Sequence, residues 1–140
     1  QAEVVVKVEV PPDLTLTTDE PTLAAVLENL LDNAVKYSQQ VVDVELSARP
    51  GRKGQVVIEV RDRGIGIERA DLRRVFERFY RAPNEDVRSR RGTGLGLFVV
   101  STLVRSLGGK VTAESAGAGQ GTTMRVVLPS RPRTRALRLG

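Results

Sequence analysis

The chain has 140 residues, of which 40% are hydrophobic, so it is long enough to form one globular domain with its own core. Its net charge is +5, but four arginines lie after Pro129, so most of this charge belongs to the C-terminal end. A nearly neutral body with 4% aromatic residues excludes a globally basic, base-stacking nucleic-acid binder. Cysteine and histidine are both absent, which excludes disulfides, cysteine nucleophiles, Ser-His-Asp triads and histidine-ligated metals.

The ends of the chain and its hydropathy suggest how it is organised. No apolar run approaches the roughly 18 residues of a membrane helix, and no signal peptide is visible. We expect one domain over residues 1–130 and a basic, flexible tail over residues 131–140. The chain begins directly in a strand-like segment, which is compatible with a piece of a longer protein.

The first half of the chain is predicted to form a strand, a long helix and two more strands. Residues 4–10 are valine-rich and are followed by prolines, which is typical of a strand and its end. Asp19-Glu20-Pro21 predicts a helix start, because acids and proline favour the first turn. Residues 41–47 and 55–61 are predicted to be strands joined by a turn. Apolar residues at helical spacing predict the buried face of the helix: Leu23, Val26, Leu27, Leu30, Leu31 and Ala34.

The second half is predicted to form two helices and a hairpin. Residues 68–76 are interpreted as a short helix, and the charged residues 81–91 as a mobile loop. A helix is predicted over residues 95–107, ending at Gly108-Gly109, followed by a hairpin of residues 110–114 and 122–128. This order of elements predicts an α/β (α+β) two-layer sandwich, with one mixed, mostly antiparallel sheet and helices on one face.

A polar stripe runs along the first long helix. Asn29, Asn33 and Lys36 lie at positions i, i+4 and i+7, beside the apolar face. Such a stripe is often only a solvated surface, yet asparagine is a poor helix former and two of them one turn apart are unexpected. The alternative is that amide oxygens and water complete the shell of a phosphate-bound Mg²⁺, with Lys36 contacting phosphate.

Two glycine-containing segments allow both a structural and a functional interpretation. Asp62, at the end of a valine-rich strand, is followed by Gly64 and Gly66, as in an ordinary turn or as in a site that hydrogen-bonds an adenine amino group. Gly92, Gly94 and Gly96 precede a helix, as in a tight turn or a phosphate-binding loop. Neither the G-x-x-x-x-G-K-[ST] nor the G-x-G-x-x-G pattern fits, so P-loop and Rossmann sites are disfavoured.

Taken in order, five segments resemble the motifs of sensor histidine kinase catalytic domains. The resemblance covers nearly the whole chain, and five motifs in the family's order make coincidence a poor explanation. The N box, first glycine box, F box, second glycine box and final glycine-threonine turn correspond to residues 28–37, 62–66, 76–80, 92–97 and 119–123.

The resemblance implies a Bergerat-type ATP-binding fold, shared with gyrase, Hsp90 and MutL proteins, and it implies roles for individual residues. Asn33 would bind Mg²⁺ with Asn29 assisting, Lys36 would contact phosphate, and Tyr37 would pack on the adenine. Asp62 would hydrogen-bond the adenine amino group, with Thr122 acting through a water, and Gly64 and Gly66 would shape the base pocket. The other ATP-binding residues that it implies are Arg78, Arg81, Gly92, Thr93, Gly94, Leu95, Gly96 and Leu97.

The charged segment between Phe79 and Gly92 would be an ATP lid, and the resemblance does not single out which lid arginine contacts phosphate. Thr22 stands where the family often has arginine, and we expect only a peripheral contact to be lost. The implied location is the cytoplasmic part of a membrane-anchored sensor, with no nucleic-acid contact and no direct membrane contact by this domain.

The resemblance predicts a domain that donates the ATP γ-phosphate to a histidine on a dimerisation helix, for relay to a response regulator. Gyrase-like hydrolases carry a general-base glutamate where Asn29 stands, and an amide cannot accept a proton in that role. This disfavours hydrolysis and favours phosphoryl transfer to a partner. Two alternatives stay open: a serine kinase of the anti-sigma-factor type, and a non-catalytic nucleotide-sensing module of the same fold.

Overall fold

A computed structural model describes residues 4–38, 42–80 and 95–131. Five strands and two helices lie within these ranges, and a single sheet contains all five strands, in the order β1-β2-β3-β5-β4. Only β1 and β2 pair in parallel; the other three pairs are antiparallel. The predicted two-layer fold with one mixed, mostly antiparallel sheet is confirmed. The elements are β1 (Val4–Glu9), α1 (Glu20–Lys36), β2 (Val42–Pro50), β3 (Gln55–Asp62), α2 (Gly96–Ser106), β4 (Lys110–Glu114) and β5 (Thr122–Pro129).

The core lies between the sheet and the two helices. Side chains alternate between the two faces of a strand, so β3 and β5 each send every second residue towards the helices. On β3 this face carries Val60 and then Asp62, and on β5 it carries Met124 and, at the strand's start, Thr122. Asp62 and Thr122 are paired across the two strands, so the polar end of the core is built from both.

Helix α1 begins where its sequence predicts. The Asp19 carboxylate accepts a hydrogen bond from the Thr22 amide (3.2 Å) and also contacts the Thr22 hydroxyl. This gives a first-turn amide, which has no partner within the helix, a hydrogen-bond acceptor. Thr22 is therefore part of the helix cap in this chain. Val26, Leu30 and Ala34 lie at intervals of four residues and are buried, which confirms the predicted apolar face.

Helix α2 packs on α1 and on the sheet through Val100 and Val104, which are fully buried. It ends at Ser106, with Leu107 as the C-cap residue, and Gly108 follows with φ +80°, a left-handed conformation that favours glycine at a helix C-terminus. The helix is one residue shorter at each end than predicted.

The predicted helix over residues 68–76 is wrong. This segment has a single 3₁₀ turn, Arg69–Asp71, followed by turns whose amides mostly bond the carbonyl three residues back, as Arg74 does to Asp71 (2.9 Å) and Glu77 to Arg74 (2.9 Å). None of the residues in the 3₁₀ turn is buried. A short helix depends on tertiary packing of an apolar face, and this segment buries too little to gain it.

Neither described helix combines the length and the hydropathy needed to cross a bilayer. Residues 132–140 lie outside the described ranges, so the flexible tail stays a prediction, as does the mobile loop over residues 81–91.

Candidate functional site

Asp62 is a buried acid at the polar end of the core. Its side chain points to the helix layer and the residue is 6% exposed. Burial raises the pKa of Asp62, and hydrogen bonds from the backbone amides of Gly64 and Thr122 oppose that rise. The Gly64 amide lies 2.8 Å from Oδ1. The two amides favour the ionised carboxylate, in which both oxygens act only as hydrogen-bond acceptors.

The loop after β3 (residues 63–67, the β3 loop) touches the C-terminal end of α1. The Ile65 amide donates to the Tyr37 carbonyl (3.0 Å), just beyond the last residue of the helix. A Cβ on Gly64 would lie 2.1 Å from that same carbonyl oxygen, so only glycine fits there. The helix end and the acid-bearing strand end are thus brought together, so three of the predicted site residues, Tyr37, Asp62 and Gly64, lie close to one another.

Gly66 places the β3 loop against the turn between β4 and β5 (residues 115–121, the hairpin turn). It has φ +73°, and a Cβ there would lie 2.1 Å from the Gly117 carbonyl oxygen. Two backbone hydrogen bonds join the loop and the turn: Gly119 to Ile65 (2.7 Å) and Gly121 to Gly64 (3.2 Å). The glycines of the predicted base pocket therefore permit close backbone contact between two segments distant in sequence.

The α1 asparagines lie one turn apart, and Asn29 faces the start of α2. The Asn29 Nδ2 donates to the Ala25 carbonyl (2.7 Å), which leaves Oδ1 as the atom available to a ligand. That Oδ1 is 3.9 Å from the position of a Cβ on Gly96, the first residue of α2. Asn33 is half-buried, and its side-chain amide has no hydrogen-bond partner among the described residues.

Mg²⁺ requires oxygen ligands in an octahedral arrangement and usually keeps several waters. The described residues contain no group of three or more acidic, histidine or cysteine side chains that could hold a metal. Two amide oxygens suit Mg²⁺ when phosphates and waters provide most of the shell. The Asn29 and Asn33 side chains therefore fit a metal bound together with a nucleotide, rather than one bound by the protein alone.

Lys36 and Tyr37 end the helix beside the same loop. The Lys36 Nζ lies 5.1 Å from the centre of the Tyr37 ring, a cation–π contact at the surface. Tyr37 is half-buried, and its backbone amide bonds the Asn33 carbonyl (3.1 Å), so the ring and the asparagine belong to one helix turn.

Arg78 differs from the other predicted site residues that the structure describes. Its guanidinium lies 4.9 Å from the centre of the Phe98 ring, in a groove of about 550 Å³ that Arg105 and Lys110 also line. Its described contact is therefore with an α2 side chain, and not with Asp62 or the α1 asparagines. Arg81, Gly92, Thr93 and Gly94 lie outside the described residues, whereas Leu95, Gly96 and Leu97 form the start of α2.

Ser115 was missed by sequence reasoning. Its hydroxyl bonds backbone groups of both the β3 loop and the hairpin turn. A serine at the start of a glycine-rich turn is a signal for side-chain to backbone hydrogen bonds, but that signal does not reveal a partner 48 residues away.

The comparisons with known proteins agree with this geometry. The family model for histidine kinase-, DNA gyrase B- and HSP90-like ATPases matches residues 18–132, so the chain belongs to this family. The sensor histidine kinase WalK of Bacillus subtilis is 38% identical over 118 residues, which are 84% of this chain and 19% of WalK. The sensor-like histidine kinase SenX3 of Mycolicibacterium smegmatis is 38% identical over 129 residues, 85% of this chain and 33% of SenX3.

Two solved structures are similar in fold and sequence. The mycobacterial sensor histidine kinase MprB has a TM-score of 0.73 and 31% identity, over 91% of this chain and 84% of that one. Full-length ShkA, solved in complex with AMPPNP, has a TM-score of 0.73 and 29% identity, over 96% of this chain and 27% of that one. Within the family, the chain is thus a catalytic ATP-binding domain of the sensor histidine kinase type. It spans about a fifth to a third of the length of the two curated relatives.

Proposed function

We propose that this domain binds ATP with Mg²⁺ and donates the γ-phosphate to a histidine on a separate dimerisation helix of the same full-length protein, for relay to a response regulator. The observation that carries this proposal is the position of Asn29. It faces the first residue of α2, where a hydrolase of this family would need a carboxylate.

Glu28, the nearest acid on α1, is exposed, whereas Asn29 is partly buried. Neighbouring residues on a helix are rotated by about 100°, so Glu28 does not share the face of Asn29. Transfer between bound groups depends on positioning and electrostatics, and a base on this domain is not required.

In the proposed site, Asp62 and Thr122 bind the adenine and Tyr37 packs on it. Gly64 and Gly66 keep the loop backbone close enough for the base to fit. Asn33 and Asn29 hold Mg²⁺, which neutralises charge on the phosphates when bound. Lys36 contributes a point charge to the phosphates, and the segment from Gly92 to Leu97 wraps them. Arg78 precedes the lid and Arg81 lies within it, and a contact of either with phosphate is part of the same proposal.

The first test is a thermal-shift titration of the 140-residue chain with ATP and Mg²⁺. Nucleotide at about 100 times its Kd should add about 2.7 kcal/mol to the free energy of unfolding. Asn33→Ala and Asp62→Ala should each reduce this gain strongly, while Asp32→Ala, an exposed neighbour on α1, should keep it. The absence of any shift at millimolar nucleotide contradicts the proposal.

The second test supplies the chain with γ-labelled ATP and a histidine-bearing helical hairpin from a sensor kinase. Label should appear on the hairpin and be lost when its histidine is replaced by glutamine, since this chain itself has no histidine. Label on a partner serine favours the serine kinase, and binding without transfer favours the nucleotide-sensing module. Rapid phosphate release without a partner favours the hydrolase.

A further inference from the structure

The strongest unassigned feature is Ser115, the residue that follows β4. Its hydroxyl lies 2.6 Å from the Gly121 carbonyl oxygen, 3.0 Å from the Ile67 amide and 3.2 Å from the Gly117 amide. A hydroxyl has one donor and two acceptor sites, so these three bonds use its whole capacity. The Gly117 carbonyl, at 3.3 Å, is a weaker second choice for the donor.

These bonds connect two segments that lie far apart in sequence. The Ile67 amide belongs to the β3 loop, while Gly117 and Gly121 belong to the hairpin turn. The backbone bonds between Gly119 and Ile65 and between Gly121 and Gly64 run beside the Ser115 contacts. The Ser115 side chain thus adds hydrogen bonds to both segments of this backbone pairing.

The β3 loop and the hairpin turn carry the backbone amides that donate hydrogen bonds to Asp62. The Gly64 amide is one of the two that oppose the effect of burial on the carboxyl, and the carbonyl of Gly64 accepts from the hairpin turn. The second hydrogen bond comes from the amide of Thr122, the residue that immediately follows Gly121. Both donors to Asp62 are therefore attached to the two segments that Ser115 joins.

We propose that Ser115 is a positioning residue for adenine recognition: it joins the β3 loop to the hairpin turn and so holds the two amides that orient the Asp62 carboxylate. It does not touch the base itself. This inference rests on the proposed function, because it assumes that Asp62 accepts a hydrogen bond from the adenine amino group.

The test compares ATP with inosine triphosphate, which has a carbonyl oxygen in place of that amino group. Isothermal titration of the 140-residue chain should show that the wild type prefers ATP. Ser115→Ala should raise the Kd for ATP about tenfold and the Kd for inosine triphosphate less than about twofold, since only the amino contact depends on Asp62. A general loss of structure would raise both Kd values equally.

Three further variants make the comparison specific. Ser115→Thr keeps the hydroxyl and should keep the preference for ATP. Ser115→Cys keeps the size but hydrogen-bonds weakly, so it should lose the preference even if Ser115→Ala fails to fold. Ser106→Ala removes a comparable hydroxyl, bonded to the Leu103 carbonyl (2.6 Å) on α2, and should change neither Kd.

The outcomes separate this inference from the proposed function. The role of Ser115 is overturned if the wild type prefers ATP but Ser115→Ala or Ser115→Cys raises both Kd values equally. It is also overturned if these variants leave both Kd values unchanged. In either case the ATP site stands. If the wild type does not distinguish the two nucleotides, the assignment of Asp62 to adenine is wrong and the inference falls with it.

Discussion

At the scale of single residues, Asp62 shows how a buried acid opposes stability. Burial favours the neutral carboxyl, and two backbone amides favour the charged one; burial has the larger effect, so the pKa of Asp62 is raised. A buried group that resists ionisation costs free energy whenever it is charged. Such a cost is expected where a ligand, and not the protein, completes the hydrogen bonding.

Asp62→Asn should therefore stabilise the nucleotide-free chain at neutral pH, by on the order of 1 kcal/mol. Between the ordinary carboxyl pKa of 3.8 and the raised pKa of the folded state, Asp62 holds more protons in the folded chain than in the unfolded one, so its contribution to the free energy of unfolding falls as pH rises through this window. The variant lacks that fall, and the two chains should converge at low pH. Denaturant melts at several pH values measure this, with ATP binding expected to weaken.

Asp32→Asn is the matched control, because Asp32 is exposed on α1 and its replacement should change stability by less than about 0.5 kcal/mol. If Asp62→Asn proves less stable than the wild type at neutral pH, the amide hydrogen bonds outweigh the burial of the carboxylate.

At the scale of elements, the face of the sheet away from the helices is held by ion pairs that cross four strands. Glu59 on β3 lies 2.5 Å from the Arg49 Nη1 on β2 and 2.7 Å from the Arg125 Nε on β5. Arg125 also pairs with Glu114 on β4. Direct opposition of Glu59 and Arg125 in the β3–β5 register makes this a cross-strand network and not an incidental surface contact.

Glu59→Gln should lower the free energy of unfolding by about 1 kcal/mol at neutral pH, because two arginines lose their shared partner. Burial raises the pKa of Glu59, but hydrogen bonds and charge from Arg49 and Arg125 outweigh this and lower it below its ordinary 4.5. The stabilisation is thus complete above that value and is lost as pH falls through the folded-state pKa. The difference between variant and wild type should vanish in acid.

Urea melts at neutral and acidic pH test this prediction. Glu45→Gln on β2 is the control, since Glu45 forms no ion pair with any described residue. An equal loss in both variants, or a loss that persists in acid, would contradict the role given to the network.

The elements also show what the sequence could and could not predict. Residues 20–36 have an N-terminal cap and a long apolar period, so the helix and its start follow from local chemistry. Residues 68–76 have neither, and their turns depend on contacts such as that of the Tyr80 hydroxyl with Asp71. In the site, Asp62 and the glycines carry recognisable motifs, whereas the contacts of Ser115 and of the Tyr37 carbonyl are set by long-range pairing that no local pattern encodes.

At the scale of the whole molecule, the candidate site spans both layers. Asn29, Asn33 and Tyr37 belong to the helix layer, while Asp62 and Thr122 belong to the sheet. The layers are joined beneath the site by an apolar core in which Leu30 is 1% exposed. Packing between the layers therefore holds the helix bearing the asparagines against the sheet bearing the acid, and the buried core side chains are not among the predicted site residues.

This separation predicts that core stability and nucleotide binding respond differently to substitution. Leu30→Ala should lower the free energy of unfolding by about 3 kcal/mol, because it removes buried methyl groups and leaves a cavity. Val35→Ala, on the same helix but 43% exposed, should change it by less than about 0.5 kcal/mol.

At 100 times the Kd, ATP with Mg²⁺ should still add about 2.7 kcal/mol to the free energy of unfolding of each variant, since a ligand that binds only the folded state stabilises it by its own mass action. Melts of both variants without and with nucleotide measure the stability lost on substitution and the stability gained from ATP. A Leu30→Ala chain that folds but gains nothing from ATP would show that the core also shapes the site, and equal destabilisation by both substitutions would show that burial does not determine the loss.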